Sequence, residues 1–327
     1  MKWLESGVEV LQSLTCGGHM MTKGRTASIL LVFTTLFWAL NFTLGRAVAQ
    51  VFPPVTLTFV RWLMAAGILY PFVRRQLGGY RKLLRREIPS LMALGITGIM
   101  GFSVLVYTSL RFTTVINSTL LNSLGPAVVA TFSFLVYKDR LTAGQWAGIG
   151  VSLLGAFMII FRGSLAVVTS LQPNIGDLLM FVAILLWGVY SMVLKRAGAL
   201  FPVRVLFFSS ICAGLVLVFP VMLLENWLVF GTGWLFTLET VHFLSLLYFG
   251  FFPTVLSFLF YNQALLMIGP SRAAVYLNLV VVFAAVFAIT LLGERLYWYH
   301  PAGALLIIGG IYWTSYRNPE NAIRRCQ

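Results

Sequence analysis

The sequence predicts an all-α membrane protein of ten transmembrane helices, built as two inverted five-helix repeats. One observation is composition: the chain is 59% hydrophobic and only 10% charged, with a mean hydropathy of +0.91, far from a soluble domain. The other is a segment that returns. Residues 138–155 reappear 155 positions later as 293–310, so that Asp139-Arg140-Leu141 comes back as Glu294-Arg295-Leu296, Gly148 as Gly303 and Gly155 as Gly310. Gly95 and Gly250 share that offset, and Tyr107 meets Tyr261 if one residue slips. Nearer the start, Trp38-Ala39 matches Trp187-Gly188 and Arg46 matches Lys195, at an offset of 149. A unit that crosses a membrane an odd number of times and is used twice must place its second copy upside down. That plan belongs mostly to transporters.

Each expected span holds about 20 apolar residues, the length that crosses a hydrocarbon core of roughly 30 Å. In the first half they are 27–47, 55–73, 88–110, 114–137 and 143–161; in the second, 175–194, 205–224, 241–267, 273–292 and 298–316. Helices are the expected form, because lipid offers no partner to an unpaired backbone group. The segments are too long and too uniformly apolar for the alternating strands of a barrel. The chain thus divides into an N-terminal cytoplasmic segment (1–26), a first repeat (27–161), an external linker (162–174), a second, inverted repeat (175–316) and a cytoplasmic tail (317–327). The stretch 225–240, with Trp227, Phe230, Trp234 and Phe236, suits a membrane interface. Residues 1–20 contain Glu5 and Glu9 and no sustained apolar core, unlike a signal peptide, and Met20 or Met21 is an alternative start.

The formal charge of +14 could suggest nucleic acid, but its distribution points to a bilayer. With the N-terminus in the cytoplasm, 18 of the 23 basic residues fall on inner segments and four on outer ones, as the positive-inside rule demands. Both termini of this multi-pass chain are then cytoplasmic, at the inner (plasma) membrane. The basic run 74–86 reads as a topology anchor, lacking the interleaved aromatics or recognition helix of a nucleic-acid surface. Cys16, Cys212 and Cys326 are widely spaced and suggest neither a disulfide framework nor zinc. His19, His242 and His300 lie at span margins, and no HExxH, GxSxG or P-loop pattern occurs. An enzyme is therefore not expected, nor a cofactor or a metal.

The run Phe37-Trp38-Ala39-Leu40-Asn41-Phe42, closing with Gly45-Arg46, resembles the first span of EamA-type members of the drug/metabolite transporter superfamily. Phe59-Val60-Arg61-Trp62 in the second span does too, as do the acidic endings Lys138-Asp139-Arg140-Leu141 and Gly293-Glu294-Arg295-Leu296. The likeness covers roughly residues 27–316, with Lys-Asp in the first half where such proteins usually show Gly-Glu. It implies ten helices, alternating access and the movement of small metabolites, often outward; some relatives export amino acids, aromatic ones included. The expected partners are a small-molecule substrate and the lipid bilayer, with no nucleic acid, and a homodimer is compatible with the sequence.

Polar groups in hydrocarbon are costly, so their positions are informative. Asp139, Asp177, Glu225, Glu239 and Glu294 all fall at span ends or in loops. That argues for facilitated diffusion or exchange over coupling through a buried acid. Arg61 is the one charge inside a span, about 9 Å below the outer edge at 1.5 Å per residue. It either snorkels to the interface or pairs with a backbone carbonyl, or it anchors a substrate carboxylate or makes a gating contact. Neutral candidates for a central cavity are Asn41, Asn117, Ser118, Asn122, Ser123 and Asn278, with Asn262 and Gln263 beside them. Ser123 and Asn278 correspond under the 155 offset. Such groups also serve simply to bridge helices, at about 0.6 kcal/mol each. Tyr107, Tyr190, Tyr261 and Tyr276 are candidate cavity aromatics, alongside Trp38 and Trp187. Gly101, Pro126, Gly250 and Pro253 are candidate hinges, because proline removes a helical hydrogen bond. Gly144, Gly148 and Gly155, with Gly303, Gly309 and Gly310, read as close-packing faces. Asp139 and Glu294 are expected to steady the N-terminal dipole of the helix that follows each. A channel, a lipid scramblase, a drug-type carrier or a nucleotide-sugar carrier are the alternatives to a carrier of small neutral or zwitterionic metabolites.

Overall fold

The computed structural model describes residues 2–113, 115–139, 141–164, 174–231, 240–292 and 295–315, and among them every regular element is helical. Helix α1 (Lys2–Val51) continues the first span backward through the expected N-terminal segment. Helix α2 (Pro54–Arg86) is 33 residues, or about 50 Å, so its basic last turns outrun the span expected at 55–73. It starts with proline, whose missing N–H costs nothing in a first turn, and its Val55 and Thr56 amides each donate to Glu225 at 2.9 Å.

The third and eighth spans are each interrupted. The third is α3 (Ile88–Leu94), a π-helical stretch Gly95–Gly101, and α4 (Phe102–Phe112). The fourth, α5 (Val115–Asn122) and α6 (Gly125–Tyr137), breaks at Ser123 and Leu124. Then come α7 (Ala143–Ile160), α8 (Ile175–Ala197) and α9 (Val203–Glu225), the last followed by a π turn Asn226–Phe230. The eighth span is α10 (Thr240–Phe249), a π stretch Gly250–Leu256, and α11 (Ser257–Ile268). The ninth is α12 (Pro270–Val275), a 3-10 turn Tyr276–Asn278, and α13 (Leu279–Leu292); α14 (Tyr299–Ser315) is the tenth. Gly95 and Gly250, paired by the 155 offset, open the two π stretches, and the breaks in the fourth and ninth spans correspond in the same way. A π turn widens the helix and loosens its carbonyls. Thr254 and Ser257 take up that slack, donating from their hydroxyls to carbonyls five residues back at 2.5 and 3.0 Å.

Among the described residues, nine segments are long and apolar enough to cross a bilayer, and α14, at 17 residues, stands where the tenth is expected. Reciprocal capping boxes start α7 (Thr142 with Gln145) and α8 (Asn174 with Asp177). Large apolar side chains such as Leu154, Val216 and Leu305 stand exposed on the outside, as suits a surface that faces lipid.

The first span of each half packs on the third and fourth spans of the other: α1 on α11 and α13, α8 on α4 and α6. The second spans, α2 and α9, pack together, as do the fifth spans, α7 and α14. At the α7–α14 contact the two backbones approach closely. A Cβ on Gly310 would stand 2.5 Å from the Gly148 carbonyl oxygen, and one on Gly155 2.6 Å from that of Gly303. Gly309, expected on this face, instead has open space around it.

Candidate functional site

The helices from both halves line a chamber of about 40 Å³ where α1, α2, α4, α8 and α11 meet the broken fourth and ninth spans. Its polar lining includes Asn41, Arg61, Tyr107 and Asn122; its aromatic lining includes Trp38, Phe102, Trp187 and Phe258. Ligand pockets commonly measure about 300–1,000 Å³, so the chamber is narrow in this structure.

Two tryptophans of its lining meet. Trp38 and Trp187 pack edge to face, with ring centroids 5.4 Å apart and planes at 84°. Their indole N–H groups are both satisfied, Trp38 donating to the Pro253 carbonyl at 2.9 Å and Trp187 to the Tyr261 hydroxyl at 3.3 Å. Phe102 packs on Trp187 at 4.8 Å, and Phe258 lies 5.6 Å from Trp38 and 4.9 Å from Trp62. Such ring pairs add about 0.5–1.5 kcal/mol each beyond their burial. The Pro253 bond also ties the π turn of the eighth span to α1.

Arg61 is 5% exposed, within α2. Its Nη1 donates to the Tyr107 hydroxyl, which in turn donates to Asn41 Oδ1 at 2.9 Å. Its guanidinium lies over the rings of Trp62 and Tyr107, at 5.4 and 5.2 Å from the centroids. Its Nε has no partner. Cation–π contacts recover about 2 kcal/mol when desolvated, whereas burying a charge costs several. The side chain does not snorkel, being buried, and the partner that it finds is a tyrosine hydroxyl rather than a backbone carbonyl.

The other sequence candidates lie elsewhere in this conformation. Asn117 reaches Asp177 at 3.4 Å, beside the bond that Thr113 gives the same carboxylate. Ser118 is fully buried and unpartnered, and Ser123 donates to the Leu120 carbonyl. Tyr190 stacks on Trp187 and donates to Asn262 Oδ1 at 2.9 Å. Tyr261 sits behind Trp187, and Tyr276 bonds Ser28 at 2.6 Å. Asn278 donates to Ser152 at 2.9 Å, leaving its own Oδ1 without a partner. Of the candidate hinges, Gly101 closes one π stretch, Gly250 and Pro253 lie in the other, and Pro126 starts α6 just past the break.

A model of the EamA-like transporter family matches residues 25–161 and again 174–316, nearly the whole chain. The chain belongs to the EamA-like transporter family. It is 26% identical to the uncharacterized transporter YyaM of Bacillus subtilis (strain 168), over 88% of this chain and 92% of that one. It is likewise 26% identical to a protein of Salmonella typhimurium (strain LT2) named a probable amino-acid metabolite efflux pump, over 88% of this chain and 94% of the relative. A crystal structure shares the fold, with a TM-score of 0.69 at 17% identity, over 88% of this chain and 96% of the other. Proteins of this family are membrane transporters rather than enzymes.

Within this EamA-type chain, sequence reasoning passed over Phe102, Ser103 and Phe258, because apolar or small residues in an apolar helix give no signal. It also placed Asp139 differently. The Asp139 carboxylate pairs with Lys195 of α8 at 2.5 Å and accepts from Ser133 at 3.1 Å, while Thr142 caps the following helix. The partner was legible as a basic residue, not as a neighbour. Glu225, expected at the start of an interfacial segment, accepts the first amides of α2. Glu294 lies outside the described residues.

Proposed function

We propose that this protein is a carrier of small metabolites, amino acids or related compounds, which it moves out of the cell by alternating access. Both termini face the cytoplasm, and the two halves are inverted copies. The observation that carries this reading is the chamber itself: it is lined by both halves and flanked by breaks in corresponding helices. Discontinuous helices at a repeat interface are where such carriers hold substrate. The exchange of packing partners between the halves supports a two-fold relation, and the 18 inner basic residues support the orientation. The relative's name supports the substrate class and outward direction. Since the chamber is narrow here, loading requires the aromatic walls to part, with Gly101, Pro126, Gly250 and Pro253 as the bending points. One cation in the lining fits a nucleotide sugar poorly, because its diphosphate carries more charge than Arg61 neutralises.

The test is counterflow in proteoliposomes of the purified chain, with a panel of amino acids and analogues. Saturable uptake accelerated by unlabelled compound inside is the expected result. Flux that rises linearly with concentration and ignores the inner pool would make the protein a channel.

A further inference from the structure

The chamber lining carries a single formal charge, Arg61, and no acid. Among the described residues the acids nearest in kind are engaged elsewhere: Asp139 with Lys195, Asp177 with Thr113, Glu225 with the first amides of α2. The cation is also one-sided, since 149 positions on stands Ser210, whose hydroxyl donates to the Phe207 carbonyl at 2.8 Å. Tyr107 donates its hydroxyl to Asn41 and accepts from Arg61, so it holds the guanidinium in place without supplying an acid. The Arg61 Nε remains unpartnered.

The geometry points to a carboxylate on the transported molecule as the group that Arg61 receives, with an apolar or aromatic remainder against Trp38 and Trp187. An α-ammonium group is dispensable. This rests on the carrier reading above and names the substrate class of the same site. A monoanion balances the lining charge completely, whereas a zwitterion brings a second cation into a chamber that offers it no acid. Aromatic and branched 2-oxo and 2-hydroxy acids therefore share the site with the corresponding amino acids. Exchange of like for like is electrically silent, while exchange of phenylpyruvate for zwitterionic phenylalanine moves one net charge.

The experiment is inhibition of counterflow in proteoliposomes by phenylalanine, phenylpyruvate, phenyllactate and phenylalaninamide, with a potential-sensitive dye reporting the mixed exchange. The three acids are expected to inhibit within about threefold of one another, and the amide at least about tenfold more weakly, as for a site built around a charged contact. Arg61→Gln removes the preference for acid over amide, and Arg61→Lys keeps part of it. An amide as potent as its acid in the wild-type protein overturns the proposal, whatever the variants do. So does a 2-oxo acid that fails to compete with the amino acid, or a mixed exchange that is electrically silent. Absence of counterflow with every compound would overturn the carrier reading together with this one; counterflow indifferent to the carboxylate overturns this one alone.

Discussion

Tyr190 donates to Asn262 at 2.9 Å, and the same bond exists in the first half with its two side chains exchanged. There Tyr107 donates to Asn41 at 2.9 Å. Asn41 and Tyr190 are 149 positions apart and Tyr107 and Asn262 155 apart, the two offsets that relate the halves. The pairing of the first and third spans of each half is thus kept while the residue types trade places. Only the first-half pair has an arginine on it.

The second-half pair makes a stability prediction. Asn262 Nδ2 already lacks a partner, so Tyr190→Phe leaves its whole carboxamide unbonded, at a cost of about 1–3 kcal/mol. Tyr190→Phe combined with Asn262→Leu removes both ends and recovers most of that. Thermal unfolding of the four proteins in detergent measures the coupling; strictly additive losses would show that the bond contributes nothing.

The fifth and tenth spans make a second one. Gly310→Ala drives a methyl into the backbone of α7, 2.5 Å from the Gly148 oxygen and 2.6 Å from the Ser152 nitrogen. Backbone cannot step aside, so folded yield is expected to fall sharply. Its neighbour Gly309 has nothing within 4 Å, and Gly309→Ala is expected to stabilise by up to about 1 kcal/mol through helix propensity. Gel-filtration yield and melting temperature of the pair check this.

The Asp139–Lys195 ion pair joins the end of α6 to α8, with side chains 42% and 31% exposed. Pairs this exposed contribute about 0–1 kcal/mol. Asp139→Ala is therefore expected to leave folded yield near wild type while altering transport rate, contrary to a turn-stabilising role. Exchanging the two charges, Asp139→Lys with Lys195→Asp, restores the rate. Failure of that swap, with both single variants slow and folded, would assign the effect to the residues separately.

Glu225 spans the first two free amides of α2. Glu225→Gln keeps one acceptor oxygen, loses the charge at a helix N-terminus, and costs about 1–2 kcal/mol. Denaturation midpoints measure it. Glu225→Asp, too short to reach both amides, is expected to lose as much.

How much of this was readable beforehand follows from what each signal is made of. Span positions were legible because about 20 apolar residues have one use in a bilayer. The Gly95–Gly250 match foretold two corresponding places in the third and eighth spans, though not that the backbone there widens into π turns. Asn41, Arg61, Tyr107 and Asn122 stood out as polar groups in apolar runs. Phe258 did not, since a phenylalanine in a helix of phenylalanines looks like any other. Asn117 and Asn278 announced themselves equally well and turned out to hold Asp177 and Ser152. Composition reveals that a polar side chain needs company; only the folded packing reveals which company it keeps.

The contact between Trp38 and Trp187 has a consequence for how the two halves are coupled. Each ring comes from the first span of its own half, and the two meet edge to face. The indole N–H of each is held by the eighth span, at the Pro253 carbonyl and the Tyr261 hydroxyl. A shift of either first span is therefore felt at once by its counterpart and by the helix that anchors both.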